Sequence, residues 1–457
     1  MAKVRPADPA LSFQRMLRML IGPRTAAPSP RRDVRQLVAL CETLLTERGE
    51  FSGRRLATDA LLAYALLEAE TRDRFFDHLV NDFSPSPEAL SQAADAYRTD
   101  PTQTNLIRLQ AAVEPPRQEL FRRLNQGEGG TAVLVEMRKH LLETLSKHPE
   151  RAGIDADLAH LFRSWFNRGF LFLQRIDWGT SALILERLIE YEAVHQINGW
   201  SDLRRRLDAD RRCYGFFHPA LPNQPLIFIE IALVRGLPAR VQPLLDPDAP
   251  VLDPATADCA AFYSITNCHD GLRGVSFGNM LIKQVVEELR RDFPRLKTFA
   301  TVSPVSGFAD WLAKTSPPLT IDERRPTLIR KVLDKFRGAA DEAEGPAVAP
   351  GIQRELTRLC ASYLLHAKRD DQLPLDAVAR FHLANGARLE RLNWMGDTSA
   401  AGLARSLGFT VNYVYRLTDV ERNHEAYAKG HGVAASRDIR HLADRSAAAR
   451  DSAARGA

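Results

Sequence analysis

No stretch of this chain approaches the ~18–20 apolar residues that a membrane-crossing helix needs. The longest candidate, Leu226 to Val234, is short and carries Glu230. A helical membrane anchor is excluded on that count, and no membrane partner is expected. Cysteine is scarce too. The five residues Cys41, Cys213, Cys259, Cys268 and Cys360 form no Cys-x-x-Cys pair and no zinc spacing. Their scatter excludes a disulfide framework and a zinc module, and it fits a reducing compartment, here taken as the cytoplasm. Charge of one sign is also missing. Lys and Arg total 62 against 57 Asp and Glu, a net of +5, with no block of basic residues interleaved with aromatics. That balance gives little support to a nucleic-acid partner, which ranks last and is not expected, and it suits a small anionic ligand. Met1 to Arg32 is arginine-rich and acid-poor, yet it has no apolar core of secretory length, so a frayed start is expected. A Walker sequence, which needs Gly-Lys-Ser/Thr at a helix start, is absent, as is an alternating β–α series.

What is present divides near residue 168. With 457 residues, the chain is long enough for two or three domains with real cores. In the first part, Val34, Leu37, Val38, Cys41, Leu44 and Leu45 mark one stripe of an amphipathic helix. Leu61, Leu62, Ala65, Leu66 and Ala69 continue in that style. Further helices are predicted over Glu88–Tyr97, Thr104–Val113, Thr131–Leu145 and Asp155–Trp165, with Pro101, Pro115 and Pro116 as punctuation. Residues 1–168 therefore read as a helical domain for support or self-association. Residues 169–457 read as a mixed-sheet domain that holds the chemistry. One more helix is predicted within Ile176–Ile197, and a short basic one from Ser201 to Leu207. Cys213–Phe217 and Leu226–Val234 flank the turn-rich Pro219–Pro225 and predict an antiparallel hairpin.

The segment from Cys259 to Phe308 is the most informative. A strand (Cys259–Thr266) leads to a loop punctuated by Gly271, Gly274 and Gly278, then to a helix from Asn279 to about Phe293. A second strand follows over Lys297–Ser303. A strand–helix–strand unit implies parallel strands, so with the hairpin the sheet is mixed and the class is α+β. Small residues feeding a helix N-terminus aim backbone N–H groups, aided by the helix dipole, at one anionic site. Arg273 adds a guanidinium suited to phosphate oxygens. A hairpin, a third strand, an amide-rich loop and a helix match the acyl-coenzyme A site of acetyltransferase-like (GNAT) folds.

Ser303 ends the strand beside the phosphate-loop strand, where a tethered thioester would lie. His382, in Phe381-His-Leu-Ala-Asn385-Gly386, sits next to a sharp turn able to aim its side chain into a cleft. His269, just ahead of the loop, is the competing imidazole. Arg204–Arg206 and Arg211–Arg212 suit either a solvated helix face, above all the first group, or the 3′-phosphate of coenzyme A.

Taken together, Cys259–Phe308, Glu192-Ala-Val-His195, Arg211-Arg-Cys-Tyr214, Phe381–Ala387, Asn393-Trp-Met395 and Asn412-Tyr-Val-Tyr415 closely resemble the malonyl-CoA decarboxylase family. The resemblance runs over roughly residues 160 to 430, with the motifs in the family's order. It implies an N-terminal helical domain used in self-association, as a homodimer or homotetramer, and a GNAT-like catalytic domain. It implies conversion of malonyl-CoA to acetyl-CoA and carbon dioxide with no metal or organic cofactor. It places the acyl-CoA loop at Arg273, Gly274, Val275, Ser276, Phe277, Gly278 and Asn279. It makes Ser303 and His382 the catalytic pair, with Asn385 and Tyr415 as positioning contacts to substrate. Animal members carry a glutamate where this chain has Ser276, so no carboxylate duty transfers there. A peroxisomal Ser-Lys-Leu ending is absent. The rival readings are an N-acyltransferase, which needs a base and an acceptor groove, and a malonyl-CoA sensor without turnover.

Overall fold

The structure, a computed structural model, describes residues 34–275, 277, 281–315, 325–338 and 346–444. Two compact units divide these residues.

The first unit is helical: α1 (Val34–Thr46), α2 (Glu50–Ala65), α3 (Ala69–Asn81), α4 (Pro87–Thr99), α5 (Gln103–Val113), α6 (Pro116–Leu124), α7 (Gly130–Thr144) and α8 (Ala152–Trp165). The segments His218–Gln224 and His269–Phe277 join it from later in the chain. The predicted stripe of α1 is buried at Val34, Leu37, Val38, Cys41 and Leu44. Ser86 and Thr102 cap α4 and α5 by accepting from Ala89 N–H and Asn105 N–H. Helices α3 and α6 escaped the sequence reading. Phe75, Phe76 and Leu79 give α3 a narrow apolar stripe among charges, and α6 starts on a proline that looked like a break. Arg151 is buried and meets Asp73 and Asp77 at 2.7 and 2.8 Å, so its charge is compensated inside the bundle.

The second unit is built on an eight-stranded mixed sheet in the order β1-β2-β3-β4-β5-β8-β6, with β7 also pairing β8. Its strands are β1 (Phe172–Ile176), β2 (Arg211–Phe217), β3 (Ile227–Val234), β4 (Cys259–Asn267), β5 (Thr298–Thr301), β6 (Ser303–Pro304), β7 (Arg388–Asn393) and β8 (Thr410–Val414). Strands β1 to β4 are antiparallel neighbours, whereas β4 and β5 run parallel, joined by a helix over Leu281–Asp292. The hairpin, the mixed sheet and the helical first part are as the sequence implies.

The helix expected within Ile176–Ile197 forms as α9 (Ala182–Tyr191); Ile176 closes β1 ahead of it, and the chain leaves the helix at Glu192. That carboxylate turns back to accept from Val194 N–H and His195 N–H at 2.8 and 2.7 Å, which competes with helical continuation. The Ser201–Leu207 helix forms as α10 (Trp200–Arg206), and the solvated face expected of its arginines holds for the exposed Arg204 but not for Arg205 and Arg206, which are buried. Arg205 forks onto Asp210 at 2.6 and 3.1 Å, and Arg206 meets Asp202 and Glu230, each at 2.9 Å. Arg211 reaches Asp210 at 2.8 Å and the Leu244 carbonyl at 3.0 Å. These buried guanidinium groups hold the sheet to its helices, and no phosphate duty is left for them.

One departure from regular pairing creates space. Strand β4 pairs β5 only from Cys259 to Phe262, then runs on to Asn267 while the neighbouring chain swings to pair β8 through Ser303 and Pro304. The strands part, and side chains from both can face one gap. A bulge in the β3–β4 ladder falls at the same level, where Glu230 faces Ser264 but Ile231 faces Phe262. Tyr263 is the extra residue there.

Candidate active site

A cavity of about 330 Å³ fills the gap between the parting strands. Its walls include Phe262–Ile265 of β4, Ser303, Pro304 and Ser306 beyond β5, and Ala377, Val378, Phe381 and His382 of a helix. That helix (Ala377–Ala384) is set by Asp376 at its N-cap, whose Oδ1 accepts from Ala379 N–H at 2.8 Å. The other oxygen of Asp376 accepts from Gly307 N–H and the Tyr363 hydroxyl at 3.4 and 3.5 Å. One carboxylate therefore ties the Ser303-Pro-Val-Ser-Gly loop to the helix that carries the imidazole. Burial raises its pKa, opposed by those backbone N–H groups. At the far end of this helix, Asn385 caps it with its side chain on the Phe381 carbonyl at 2.9 Å. Gly386 then adopts φ +80°, and a β-carbon there would sit 2.2 Å from the Val420 carbonyl oxygen. Only glycine fits, as the predicted sharp turn requires.

Ser303 and His382, 79 positions apart in sequence, meet in this cavity. Ser303 Oγ lies 3.1 Å from His382 Nε2, and both residues are buried. The ring is fixed from behind. Nδ1 stands 2.7 Å from the Tyr415 hydroxyl, and Tyr413 stacks on the imidazole at 4.5 Å and 25°. Ser303 in turn donates to Thr301 Oγ1 at 2.9 Å, which also accepts from Tyr413 N–H at 3.1 Å. With the Ser303 proton on Thr301, the consistent pattern is Tyr415 O–H donating to Nδ1 and Nε2–H facing the serine oxygen. Burial holds the His382 imidazole down to about 3, so it is neutral at working pH. What results is a buried, neutral N–H and a hydroxyl, held on one cavity wall. Such a pair can orient a carboxylate, stabilise a developing oxyanion and deliver a proton.

Comparison with known proteins gives this constellation a context. The malonyl-CoA decarboxylase C-terminal domain model matches residues 169–453, and the N-terminal domain model of that family matches residues 83–166. The chain belongs to the malonyl-CoA decarboxylase family. The mitochondrial malonyl-CoA decarboxylase of Anser anser anser is 35% identical over 355 residues, 73% of this chain and 70% of the relative. That of Rattus norvegicus is 33% identical over 354 residues, 73% and 72% of the two chains. The crystal structure of the malonyl-CoA decarboxylase from Rhodopseudomonas palustris superposes with a TM-score of 0.84 at 47% identity, covering 90% of this chain and all of that one. The one from Agrobacterium vitis gives 0.81 at 48% identity, covering 89% and 99%.

Within this malonyl-CoA decarboxylase family member, other predicted site residues stand elsewhere. Tyr415 and Asn385 are not on the cavity wall: the first backs the histidine and the second ends its helix. Arg273 to Phe277 belong to the helical unit. There Arg138 donates to the carbonyls of Gly271 and Arg273 at 2.8 and 2.9 Å. Gly271 lacks a side chain for packing reasons, since a β-carbon would lie 1.8 Å from the Val135 carbonyl oxygen. Its smallness is required by the packing against α7. Gly274, by contrast, has φ +76° with open space around it, and the Arg273 side chain is exposed. Val275 and Phe277 are buried, while Ser276, Gly278 and Asn279 lie outside the described residues. His269 also belongs to the helical unit.

Three residues in or behind the cavity have no role in the sequence reading. Thr301 falls inside a predicted strand, and Asp376 goes unremarked although Asp–x–x before an apolar helix is an N-cap signal. His195 lay in a recognised motif without a role; a histidine three residues after a helix-ending glutamate was the available hint.

Proposed function

We propose that malonyl-CoA is decarboxylated in the cavity shared by Ser303 and His382. The observation that carries this reading is the 3.1 Å approach of those two side chains in a member of this family. The malonyl thioester supplies its own electron sink. As the Cα–carboxylate bond breaks, its electron pair becomes the enolate of the thioester and carbon dioxide leaves. The electrons then return to the α-carbon, which takes a proton, and acetyl-CoA results.

When substrate enters, Ser303 turns its hydroxyl proton from Thr301 to the departing carboxylate and holds it out of the thioester plane, the geometry in which the breaking bond overlaps the carbonyl π-system. His382 delivers the proton from Nε2, and solvent restores it by way of Ser303. A neutral imidazole suffices, because a thioester enolate carbon is a far stronger base than an imidazolate, and a neutral N–H avoids a buried cation. Tyr415, donating to Nδ1, keeps the transferable hydrogen on the nitrogen that faces the substrate. The exposed Arg273 and the backbone through Asn279 are assigned to the anionic carrier. Such uniform binding should appear in KM more than in kcat when Arg273 is replaced by Ala.

The test is purified enzyme with malonyl-CoA and no acceptor amine. Stoichiometric release of carbon dioxide and acetyl-CoA is expected. Acyl transfer only when an amine is added, or tight binding without turnover, would replace this reading by one of its rivals. Five free thiols suit a reducing compartment, and we assign the enzyme to the cytoplasm, which cell fractionation checks. Self-association through the helical unit, as a dimer or tetramer, is checked by light scattering.

A further inference from the structure

In the proposed decarboxylation, Ser303 takes the carboxylate and His382 serves the α-carbon. The electron pair passes between them through the thioester oxygen, for which neither residue is left. A donor fixed against that oxygen is where an enolate-forming site gains most. The side-chain donors on the cavity wall narrow to one. Ser264 gives its hydroxyl hydrogen to Glu192 at 2.8 Å. The Tyr263 hydroxyl and His195 Nε2 are enclosed by protein and closed to the cavity. Asn267 and Arg405 are exposed residues, on the solvent side of the wall. Ser306 remains. It lines the cavity and is partly buried, and its hydroxyl is neither enclosed nor hydrogen-bonded among the described residues.

The scaffold fixes where Ser306 stands. Just before it, Ser303 and Pro304 pair with Val411 and Thr410 of β8. Just after it, Phe308 starts a helix that runs to Thr315. Val305 is fully buried, and Gly307 admits no side chain, because a β-carbon would stand 2.3 Å from the Tyr363 hydroxyl. Gly307 N–H donates to Asp376 Oδ2 at 3.4 Å, and the other oxygen of that carboxylate caps the helix carrying His382. One carboxylate therefore holds both the neighbour of Ser306 and the imidazole. We infer that the Ser306 hydroxyl donates a hydrogen bond to the thioester oxygen of the bound substrate. As the Cα–carboxylate bond breaks, its electron pair moves onto that oxygen while the hydroxyl keeps its proton. The pair then returns to the α-carbon, which takes its hydrogen from His382. Hydrogen bonds to an ionised acceptor are roughly twice as strong as neutral ones, so the contact favours the enolate over the resting thioester. The inference rests on the decarboxylase reading and adds to it the catalytic residue that stabilises the enolate.

Two non-reactive ligands isolate the contact: the methyl ketone in which a methylene replaces the sulfur of acetyl-CoA, and S-ethyl-CoA, which lacks the oxygen. Wild-type enzyme should bind the ketone more tightly by ~3–10-fold in calorimetric titration, the effect of one neutral hydrogen bond. Ser306→Ala should bind the two ligands alike. With malonyl-CoA, the same variant should lose about tenfold or more in kcat with a much smaller change in KM. A merely structural role would lower activity and leave the ketone preference in place. Should the Ala variant not fold, Ser306→Cys, whose thiol is a weak donor, is expected to behave in the same way. Equal binding of the two ligands by wild-type enzyme overturns the inference, as does a ketone preference or a wild-type kcat in Ser306→Ala or Ser306→Cys. Carbon dioxide release from malonyl-CoA by wild-type enzyme is measured first. Its absence would defeat the decarboxylase reading itself, a separate outcome from the failure of Ser306 to matter.

Discussion

His382 gives the most quantitative expectation, because its protonation is linked to folding. In an unfolded chain a histidine titrates near ~6.5, whereas burial in this cavity holds it down to about 3. Between those values the unfolded state binds a proton that the folded state refuses. Stability from this group is therefore complete above about pH 6.5 and is lost as pH falls, by ~1.4 kcal/mol per pH unit. At pH 5 the loss amounts to about 2 kcal/mol. The perturbation that isolates it is His382→Asn, which cannot titrate. Unfolding free energies of wild type and variant, compared by denaturant titration from pH 8 to pH 5, cancel the contributions of every other group. Their difference should be flat above pH 7 and should move by about 2 kcal/mol against wild type at pH 5. A long-range ¹⁵N spectrum of the wild-type histidines should show His382 as the neutral Nε2–H form throughout. A difference that stays constant with pH, or a His382 resonance that titrates near its ordinary value, would refute the neutral-donor reasoning.

Two further expectations concern the supports of the site. Tyr415→Phe removes the donor to His382 Nδ1 and frees the ring to take the other tautomer; kcat should fall about tenfold or more with KM nearly unchanged, measured by steady-state kinetics. Gly386→Ala forces a side chain into a left-handed turn against the Val420 carbonyl; a loss of roughly 1–3 kcal/mol is expected, read as a lower unfolding midpoint, with activity falling as His382 is misaimed.

Elements whose stability is local were legible in the sequence. The stripe of α1, the β2–β3 hairpin and the strand–helix–strand unit all follow from periodicity and turn residues. Ser303 and His382 were found because short motifs surround each. What escaped depends on long-range pairing. Strand β1 is only five residues long and exists because Ile176 lies opposite Cys213 and Phe172 opposite Phe217, which no local pattern reveals. The end of α9 is decided by Glu192, whose partners Ser264 and Thr266 lie more than 70 positions away. Arg205 and Arg206 looked solvated because their counter-charges Asp210 and Glu230 sit on neighbouring elements. Gly271 shows the opposite ambiguity: a glycine needed against the Val135 carbonyl reads in sequence the same as one that opens a loop for a phosphate.

The most direct measurement is single-turnover release of carbon dioxide from malonyl-CoA by Ser303→Ala and His382→Asn, with binding of a non-reactive acyl-CoA thioether measured in parallel. The expected result is a rate lowered by ~10²–10⁴-fold in each variant, a double variant little worse than either, and nearly unchanged thioether affinity. Carbon dioxide release at close to the wild-type rate by His382→Asn would contradict the assignment of that imidazole as the proton donor.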